Sequence, residues 1–299
     1  MKFRKQVVKN TTIFFSLLFL IVISCSEKVI TKNDSSVNGE IGKNIVLKIE
    51  ELSKNQILVC AHRAYHKNAP ENSLESIRQA IEEKIDIVEV DVSTTKDGIL
   101  VLMHDNKIDR TTNGQGYISN YTYKELQQFN LTFNGEITNH KIPTLNQVLT
   151  LAKDKIMLNL DIKRVDVTKL YQQLKLNKMQ NDVFSFIWDK RKIDKILELD
   201  PSYAVLPEVS HRADMEYYLD RMISKLQHFN EKSFTSENMN WAKSNNILVF
   251  MNFLWEPDTQ FLNNETKQVD DIIALQPAII QTDHPKKVLA YLRHKNLHN

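Results

Sequence analysis

Side chains that can carry protons, metal ions or anions recur at the ends of short apolar runs in this sequence. The first case is LVCAHRAYHKNAPENS (58–73), in which a buried-strand pattern runs directly into His62 and Arg63. The further cases are Glu89 and Asp91, His104 and Asp105, Asp161 and Lys163, Asn252 and Trp255, and Asp283 and His284. If these apolar runs are parallel strands of one barrel, their carboxyl ends meet at one mouth, where such barrels carry their functional sites.

Two carboxylates in the second run have the spacing of a shared ligand site. Glu89 and Asp91 are two residues apart in a strand pattern, so both point to the same side of the strand. Neighbouring carboxylates repel each other unless a positive charge compensates them. A hard divalent cation, Ca²⁺ or Mg²⁺, takes oxygen ligands, and Asp161 would supply a third carboxylate. Structural ion pairs with Arg63 and Lys163 are the alternative interpretation.

Two histidines complete a set that suits phosphate chemistry. His62 and His104 end separate strand candidates, and two imidazoles facing one pocket can serve as general base and general acid. Purely structural histidines, or zinc ligands, are the alternatives. Arg63 and Lys163 add positive charge at the same strand ends, and a guanidinium and an ammonium are the side chains that bind phosphate oxygens.

The elements that must position these side chains alternate between strands and helices. Most strand candidates are separated by amphipathic helical patterns, which predicts an α/β fold of the TIM (β/α)8 barrel type. The connection between the second and third strands is too short for a helix, so we expect the barrel to be irregular there. An open doubly wound sheet is the alternative, but the six glycines form no spaced nucleotide-binding fingerprint. The eight strand candidates are 57–61, 86–93, 99–103, 156–162, 183–187, 204–206, 247–253 and 278–281.

Two helix predictions bear on the outcome. A helix is expected to begin after Asn72, with Asn72 as N-cap and Glu75 as its reciprocal partner. A second helix is predicted over residues 215–227, between the sixth and seventh strand candidates.

The N-terminus has the pattern of a targeting segment. A basic start is followed by a charge-free apolar run, Thr12–Ile23, that is short for a bilayer span and ends in Ser24-Cys25. This predicts a lipoprotein signal peptide over residues 1–24, with Cys25 as the lipidated residue that anchors the protein to a membrane. An ordinary secretory signal and an uncleaved anchor are the alternatives. Residues 25–46 are predicted to be a flexible tether, and residues 47–299 the folded domain.

Charge and composition limit the partners and the location. The 299-residue chain has a formal net charge of +2, which gives no indication of nucleic-acid binding. Its 42% apolar and 25% charged residues are typical of a globular protein. With the N-terminal pattern, this predicts a protein of the cell envelope, lipid-anchored to the membrane and outside the cytoplasm.

The motifs together resemble one known family, the glycerophosphodiester phosphodiesterases. The resemblance rests on AHRAYHKNAPENSLESIRQAIEEKIDIVEVDVSTTKDGILVLMHDNKIDRTTNG (61–114), LNLDIK (158–163), VFMNFLW (249–255) and IIQTDHP (279–285), in the family's order. It extends over residues 56–293 and implies a TIM barrel that hydrolyses glycerophosphodiesters to glycerol 3-phosphate and an alcohol, with a divalent metal ion. The site residues it implies are His62 and His104 as the acid–base pair, Glu89, Asp91 and Asp161 as metal ligands, Arg63 and Lys163 on the phosphate, and Trp255 in the substrate wall.

Three positions depart from the family pattern. Ala64 stands where the family usually has Gly after His-Arg, and Gly tolerates backbone conformations that Ala avoids. Asp161 stands where the third metal carboxylate is often Glu, and it is one methylene shorter. Phe250 stands where the family often has Trp, so we expect the wall that contacts the alcohol to differ.

Two other functions fit the same residues. A lysophospholipase D-like phosphodiesterase would act on lipid substrates close to the membrane and would need an apolar groove, to which Phe253, Leu254 and Trp255 could contribute. A non-catalytic lipoprotein that binds phosphodiesters would need the cationic side chains but not the two histidines.

Overall fold

The computed structural model describes residues 45–222 and 225–299. Its helices are α1 (Ile45–Ser53), α2 (Leu74–Glu82), α3 (Tyr123–Leu126), α4 (Leu145–Ala152), α5 (Val167–Leu176), α6 (Lys190–Leu199), α7 (Arg212–Arg221), α8 (Ser236–Ser244), α9 (Glu256–Leu262), α10 (Lys267–Ala274) and α11 (Pro285–His294), with a 3₁₀ turn at Ile118–Asn120. Its strands are β1 (Leu58–Ala61), β2 (Ile87–Thr94), β3 (Leu100–Leu102), β4 (Thr132–Phe133), β5 (Glu136–Ile137), β6 (Met157–Ile162), β7 (Val183–Phe186), β8 (Val205–Leu206), β9 (Glu208–Val209), β10 (Leu226–Phe229), β11 (Leu248–Asn252) and β12 (Ile279–Thr282).

In the described part of the chain, nine parallel strands form a barrel in the order β8-β7-β6-β2-β1-β12-β11-β10-β9. The two ends of this order, β8 and β9, are separated only by Pro207, whose nitrogen carries no hydrogen for the ladder. The Pro207 carbonyl still accepts a hydrogen bond of 2.9 Å from the His228 backbone N–H. Together β8 and β9 therefore occupy one barrel position, and the predicted eight-position TIM barrel is confirmed.

The irregularity expected after the second strand is an antiparallel hairpin. Strand β3 turns back and pairs antiparallel with β2, with Val92 opposite Leu102. The predicted third barrel strand is thus wrong as a barrel member, because a turn of four residues, 95–98, can only reverse the chain. The chain then makes an excursion over residues 103–144 with a small apolar cluster of its own before β6 takes the third barrel position.

The barrel strand that the sequence pattern did not reveal is β10. The predicted helix over 215–227 ends at Arg221, and Leu226–Phe229 is a strand paired with β11. Its inward side chains are Leu226 and His228, while Gln227 points outward and donates to the Met215 carbonyl. Two polar residues in a four-residue strand hide the period-two pattern, so only its neighbours in the barrel identify it.

Apolar side chains fill the part of the barrel interior near the amino-terminal ends of the strands. Residues such as Leu58, Ile87 and Phe184, near the starts of their strands, share one buried cluster with Ile45 and Ile49 of α1. Helix α1 was not predicted, and it begins two residues before the predicted domain start at residue 47. The amphipathic outer helices cover the other side of the strands.

The N-terminal predictions concern a part of the chain that the structure does not describe. The predicted signal peptide, Cys25 and residues 26–44 of the predicted tether lie outside the described residues. Among the helices of residues 45–222 and 225–299, none is long and apolar enough to cross a bilayer.

Candidate active site

A cavity of about 450 Å³ opens where the barrel strands end. Its lining includes a carboxylate and cation side, formed by residues in or just after β1, β2 and β6, and a largely aromatic side, formed by residues in or just after β7, β10 and β11. Of the predicted site residues within the described part of the chain, only Asp91 is not in the lining, because it lies buried directly beneath it. The predicted residues in the lining are His62, Arg63, Glu89, His104, Asp161, Lys163 and Trp255.

Three carboxylates meet at the floor of this cavity. Glu89, Asp91 and Asp161 each place an oxygen within 4.8 Å of the others. Glu89 and Asp91 occupy successive inward positions on β2, and Asp91 lies opposite Asp161 on the parallel neighbour β6. Burial, reinforced by the charges of Asp91 and Asp161, raises the pKa of Glu89 above its ordinary value.

The donor set of this cluster fits a hard divalent cation. Glu89 Oε1 and Asp161 Oδ1 are buried and have no hydrogen-bond partner among the described residues. No imidazole belongs to the group within residues 45–222 and 225–299, so its donors are those that Ca²⁺ or Mg²⁺ prefers rather than those of a zinc site. A buried oxygen left without a partner is costly, and a cation between the three carboxylates would remove that cost.

The predicted structural ion pairs are present as well. The Lys163 ammonium lies 3.1 Å from Asp91 Oδ1 and 2.5 Å from Asp161 Oδ2, and the Arg63 Nε lies 3.8 Å from Asp91 Oδ2. Burial lowers the pKa of Lys163, but the charges of Asp91 and Asp161 outweigh it and raise the pKa overall. Among the described residues, the ion pairs of Lys163 and Arg63 within this cluster are with Asp91 and Asp161. The Glu89 carboxylate accepts a hydrogen bond of 2.7 Å from the Arg63 backbone N–H, and the Lys163 charge lowers the pKa of Glu89 by less than burial and the neighbouring carboxylates raise it. Ion pairing and a cation site therefore both fit this cluster.

The side chain of Asn72 forms hydrogen bonds with Asp91, a candidate metal ligand, and does not cap a helix. Its side chain donates to Asp91 Oδ2 at 2.7 Å and accepts from the Asp91 backbone N–H at 2.9 Å. Helix α2 is capped instead by Ser73, with Ser76 as the reciprocal partner, so the predicted cap by Asn72 and Glu75 is wrong. Asn72 has φ +54°, a left-handed conformation that Asn tolerates better than most residues.

His62 is oriented by a carboxylate from the last barrel strand. The Asp283 carboxylate lies 2.8 Å from His62 Nδ1. Burial raises the pKa of Asp283, but its hydrogen bond to His62 and the charges of His62, His66 and Lys67 outweigh this and lower it to about 2. The Asp283 backbone N–H in turn donates to buried Asp258 at 2.7 Å. The sequence placed Asp283 at a strand end without assigning it this role.

His104 has an equivalent partner in the next residue. The Asp105 carboxylate lies 2.6 Å from His104 Nδ1 and accepts from Arg110 Nε at 2.7 Å. The hydrogen bond from Arg110 is the main cause that lowers the pKa of Asp105 to about 2. His62 and His104 therefore both have Nδ1 engaged by an ionised carboxylate, which leaves Nε2 of each ring for other partners.

The turn after His62 brings Arg63 onto the acid cluster. Arg63 and Ala64 both have left-handed backbone, with φ +52° and φ +62°, and this turn aims the Arg63 backbone N–H at Glu89. Ala64 thus adopts the conformation that favours glycine, although its methyl group adds strain there. The Arg63 guanidinium donates to Glu71 at 3.1 Å, and Arg110 forms two hydrogen bonds with the same carboxylate.

The opposite wall of the cavity combines Phe250 and Trp255, which the resemblance placed in the substrate wall, with residues that the sequence did not single out for function. Phe186, Leu206 and Phe250 are apolar, His228 and Glu208 are polar, and Trp188 and Trp255 form part of the rim. The two tryptophans are 65% and 70% exposed, and Trp255 has φ +61°, which is unusual for a bulky side chain. Trp188 directly follows a predicted strand, so the strand-end rule could have found it, whereas His228 was hidden by the missed strand β10. Of the residues proposed for an apolar groove, Leu254 and Trp255 line the cavity and Phe253 is buried against Phe261.

Comparisons with known proteins agree with this geometry. Residues 62–252 match the Glycerophosphoryl diester phosphodiesterase family. The chain is 41% identical over 109 residues to a glycerophosphodiester phosphodiesterase of Caldanaerobacter subterraneus subsp. tengcongensis, an alignment that covers 36% of this chain and 45% of that protein. It is 28% identical over 246 residues to a glycerophosphodiester phosphodiesterase of Bacillus altitudinis, covering 77% of this chain and 96% of that protein. The chain thus spans less than half the length of the first of these relatives.

Solved structures show the same barrel. A glycerophosphoryl diester phosphodiesterase from Parabacteroides distasonis superposes with a TM-score of 0.76 at 26% identity, covering 84% of this chain and 92% of that one. A phosphodiesterase from Oleispira antarctica, solved in complex with the product sn-glycerol-3-phosphate, superposes with a TM-score of 0.69 at 24% identity, covering 80% and 97%. The family match extends over more than half of the 299 residues and includes the acid cluster and both histidines. This chain belongs to the glycerophosphoryl diester phosphodiesterase family.

Proposed function

We propose that this protein hydrolyses glycerophosphodiesters to glycerol 3-phosphate and an alcohol, with His62 and His104 as the acid–base pair. One observation carries the proposal: both imidazoles line the cavity above the three carboxylates, and each has Nδ1 engaged by an ionised carboxylate, Asp283 or Asp105. A protein that only bound phosphodiesters would need the cations but not two oriented proton carriers.

The residues of the cavity divide the work of phosphodiester cleavage. One imidazole accepts a proton from the nucleophile through Nε2, and the other donates a proton to the departing alkoxide. The nucleophile is water or a neighbouring glycerol hydroxyl, and either histidine can take either part. Arg63 and Lys163 lie beside the acid cluster, where their charges attract the phosphate. A divalent cation held by Glu89, Asp91 and Asp161 would stabilise the negative charge that develops on the phosphate oxygens.

The direct test is release of glycerol 3-phosphate from a small panel of diesters with Ca²⁺, with Mg²⁺ and with a chelator. We expect turnover that needs one of the cations. His62→Ala and His104→Ala should each reduce kcat by about 10²–10⁴-fold, the usual value of a general acid–base step. Their thermal stability and cation binding should stay close to wild type. Turnover near the wild-type rate in both variants would contradict the assignment.

A second candidate is a lysophospholipase D-like activity on lipid substrates. It is favoured by the exposed Trp188 and Trp255 at the rim and by the apolar side chains Phe186, Leu206 and Phe250 below them. Measuring kcat/KM for a lysophosphatidylcholine and for glycerophosphocholine in parallel separates the two substrate classes. Binding of both ligands without turnover of either would indicate the non-catalytic alternative.

We also propose that the protein is lipid-anchored through Cys25 in the cell envelope, outside the cytoplasm. The support is the sequence pattern of a basic start, the apolar run 12–23 and Ser24-Cys25. Cys25→Ser should move the protein from the membrane fraction to the soluble fraction, and labelled fatty acid should no longer be incorporated. An unchanged membrane fraction in this variant would contradict the lipid anchor.

A further inference from the structure

A buried histidine that the proposed mechanism does not use faces the cavity from the wall opposite the acid cluster. His228 is an inward residue of β10 and is 5% exposed. The rings of Phe186 and Phe250 pack edge-on against it, with centroids at 5.4 and 5.5 Å. Neither of its ring nitrogens has a hydrogen-bond partner among the residues that the structure describes. Packing therefore holds the ring in place at the cavity wall, with two buried ring nitrogens that no described residue pairs.

The chemistry of this ring selects a class of ligand. Burial lowers the pKa of His228 to about 4, so the imidazole is neutral at physiological pH and presents one N–H donor and one acceptor nitrogen. Buried polar atoms are almost always paired, since an unpaired donor or acceptor loses its hydration without compensation. An acyl chain would leave both nitrogens unpaired, and a phosphate or an ammonium group could satisfy only one of them. A hydroxyl group both donates and accepts, so it can pair with either nitrogen.

A second acceptor lies beside the imidazole. Glu208 Oε2 is 3.9 Å from His228 Nδ1, and Glu208 Oε1 accepts a hydrogen bond of 3.0 Å from Asn230. Asn230 also donates to Ser210 at 2.6 Å, which fixes its amide and through it the carboxylate. His228, Glu208 and Asn230 all line the same cavity as His62 and His104. The wall therefore presents a donor and two acceptors at defined positions, which matches more than one hydroxyl.

We propose that His228 and Glu208 form a hydroxyl-binding subsite that recognises the glyceryl half of the diester, with the phosphate held across the cavity at the acid cluster. The alcohol half then lies toward the rim, where Trp188 and Trp255 are exposed. This subsite rests on the proposed function, because the ligand that occupies it must also place its phosphate at the acid cluster. It makes selectivity for a polyol ester a property of this wall rather than of the catalytic groups.

The test compares two phosphate monoesters that differ only in hydroxyl groups. Glycerol 3-phosphate and n-propyl phosphate are titrated calorimetrically into the full-length protein with the same divalent cation throughout. We expect the wild type to bind glycerol 3-phosphate at least about tenfold more tightly, the size of one buried hydrogen bond. His228→Leu, which removes the polar atoms at similar volume, should reduce this ratio to about one and leave n-propyl phosphate binding within about threefold of wild type. His228→Gln, which keeps a donor and an acceptor, should retain part of the preference.

The outcomes separate this inference from the proposed function. Equal weakening of both ligands in His228→Leu would show a structural role and overturn the subsite, as would a wild type without preference. If the wild type binds neither monoester, the phosphate site itself fails. His294→Phe on the exposed end of α11 is the control for loss of a histidine, and it should keep the wild-type ratio. Should His228→Leu not fold, Glu208→Gln and His228→Gln give the same comparison, and a wild-type ratio in both would overturn the subsite.

Discussion

Replacing Asp283 by Asn should lower kcat about 10- to 100-fold with little change in KM. The Asp283 carboxylate lies 2.8 Å from Nδ1 of His62, a residue that lines the cavity, and we expect this bond to orient the imidazole. A hydrogen bond to a charged group contributes about 1.5–3 kcal/mol, and about 1.4 kcal/mol corresponds to a factor of ten in rate. Because the Asp283 side chain is 28% exposed, solvent screens part of this interaction, and we expect the lower half of the range.

The assay is steady-state hydrolysis of the preferred diester between about pH 5 and 8. Because the pKa of Asp283 is lowered to about 2, its carboxylate is ionised across this range. The ratio of wild-type to variant kcat should therefore not change through titration of Asp283 itself. Asp105→Asn should show the same loss of kcat through His104. A matched control is Asp270→Asn, which removes a carboxylate that accepts a hydrogen bond of 2.7 Å from Tyr291, away from the cavity.

Two results would refute this reasoning. A kcat within about twofold of wild type would mean that the geometry of His62 does not depend on Asp283. A large rise in KM with unchanged kcat would mean that Asp283 binds substrate and does not orient the imidazole, since a group that acts only in the transition state lowers kcat.

Three further predictions concern the metal cluster, helix α1 and a buried acid. Asp91→Asn should weaken Ca²⁺ or Mg²⁺ binding at least about tenfold in calorimetric titrations, with activity partly restored by excess cation, and activity independent of cation concentration would contradict this. Ile49→Ala should lower the free energy of unfolding by about 2–4 kcal/mol, whereas Leu47→Ala, at a position 53% exposed on the same helix, should change it by less than about 0.5 kcal/mol in denaturant titrations. Burial raises the pKa of Asp258 from 3.8 to about 6, so its contribution to stability is present at low pH and is lost as the pH rises through about 6. Asp258→Asn has no carboxyl group to ionise at this position. Between about pH 4 and 7, the free energy of unfolding of the variant should therefore rise relative to wild type by up to about 3 kcal/mol.

The barrel was predictable because much of its evidence is local. Strands such as β2 have apolar outward residues and a parity that places Glu89 and Asp91 on one side, and this follows from the chain geometry alone. Helices α4 and α6 carry equally local evidence, since their apolar period and capping residues lie within a few positions of each other. The predicted count of eight barrel strands was correct because two errors cancelled: β3 was counted in the barrel and β10 was not.

The errors share a physical cause. Whether β3 pairs parallel or antiparallel depends on where its partner lies, and four residues of β10 with two polar side chains carry too little pattern to be recognised without their neighbours. Asn72 was predicted to cap a helix because Asn favours that position, yet its amide pairs with Asp91, 19 residues away in sequence.

By itself, the sequence determined which residue types stand at the strand ends and which side of each strand they face, because these properties depend on neighbours along the chain. Only the tertiary structure decided which of them become partners. His62 and Asp283 are separated by 221 residues and form a hydrogen bond because β1 and β12 are adjacent in the barrel. Likewise, His228 lines the cavity, with ring nitrogens that no described residue pairs, only because β9, β10 and β11 close the wall around it. Such contacts are fixed by barrel closure and register, which no short stretch of sequence contains.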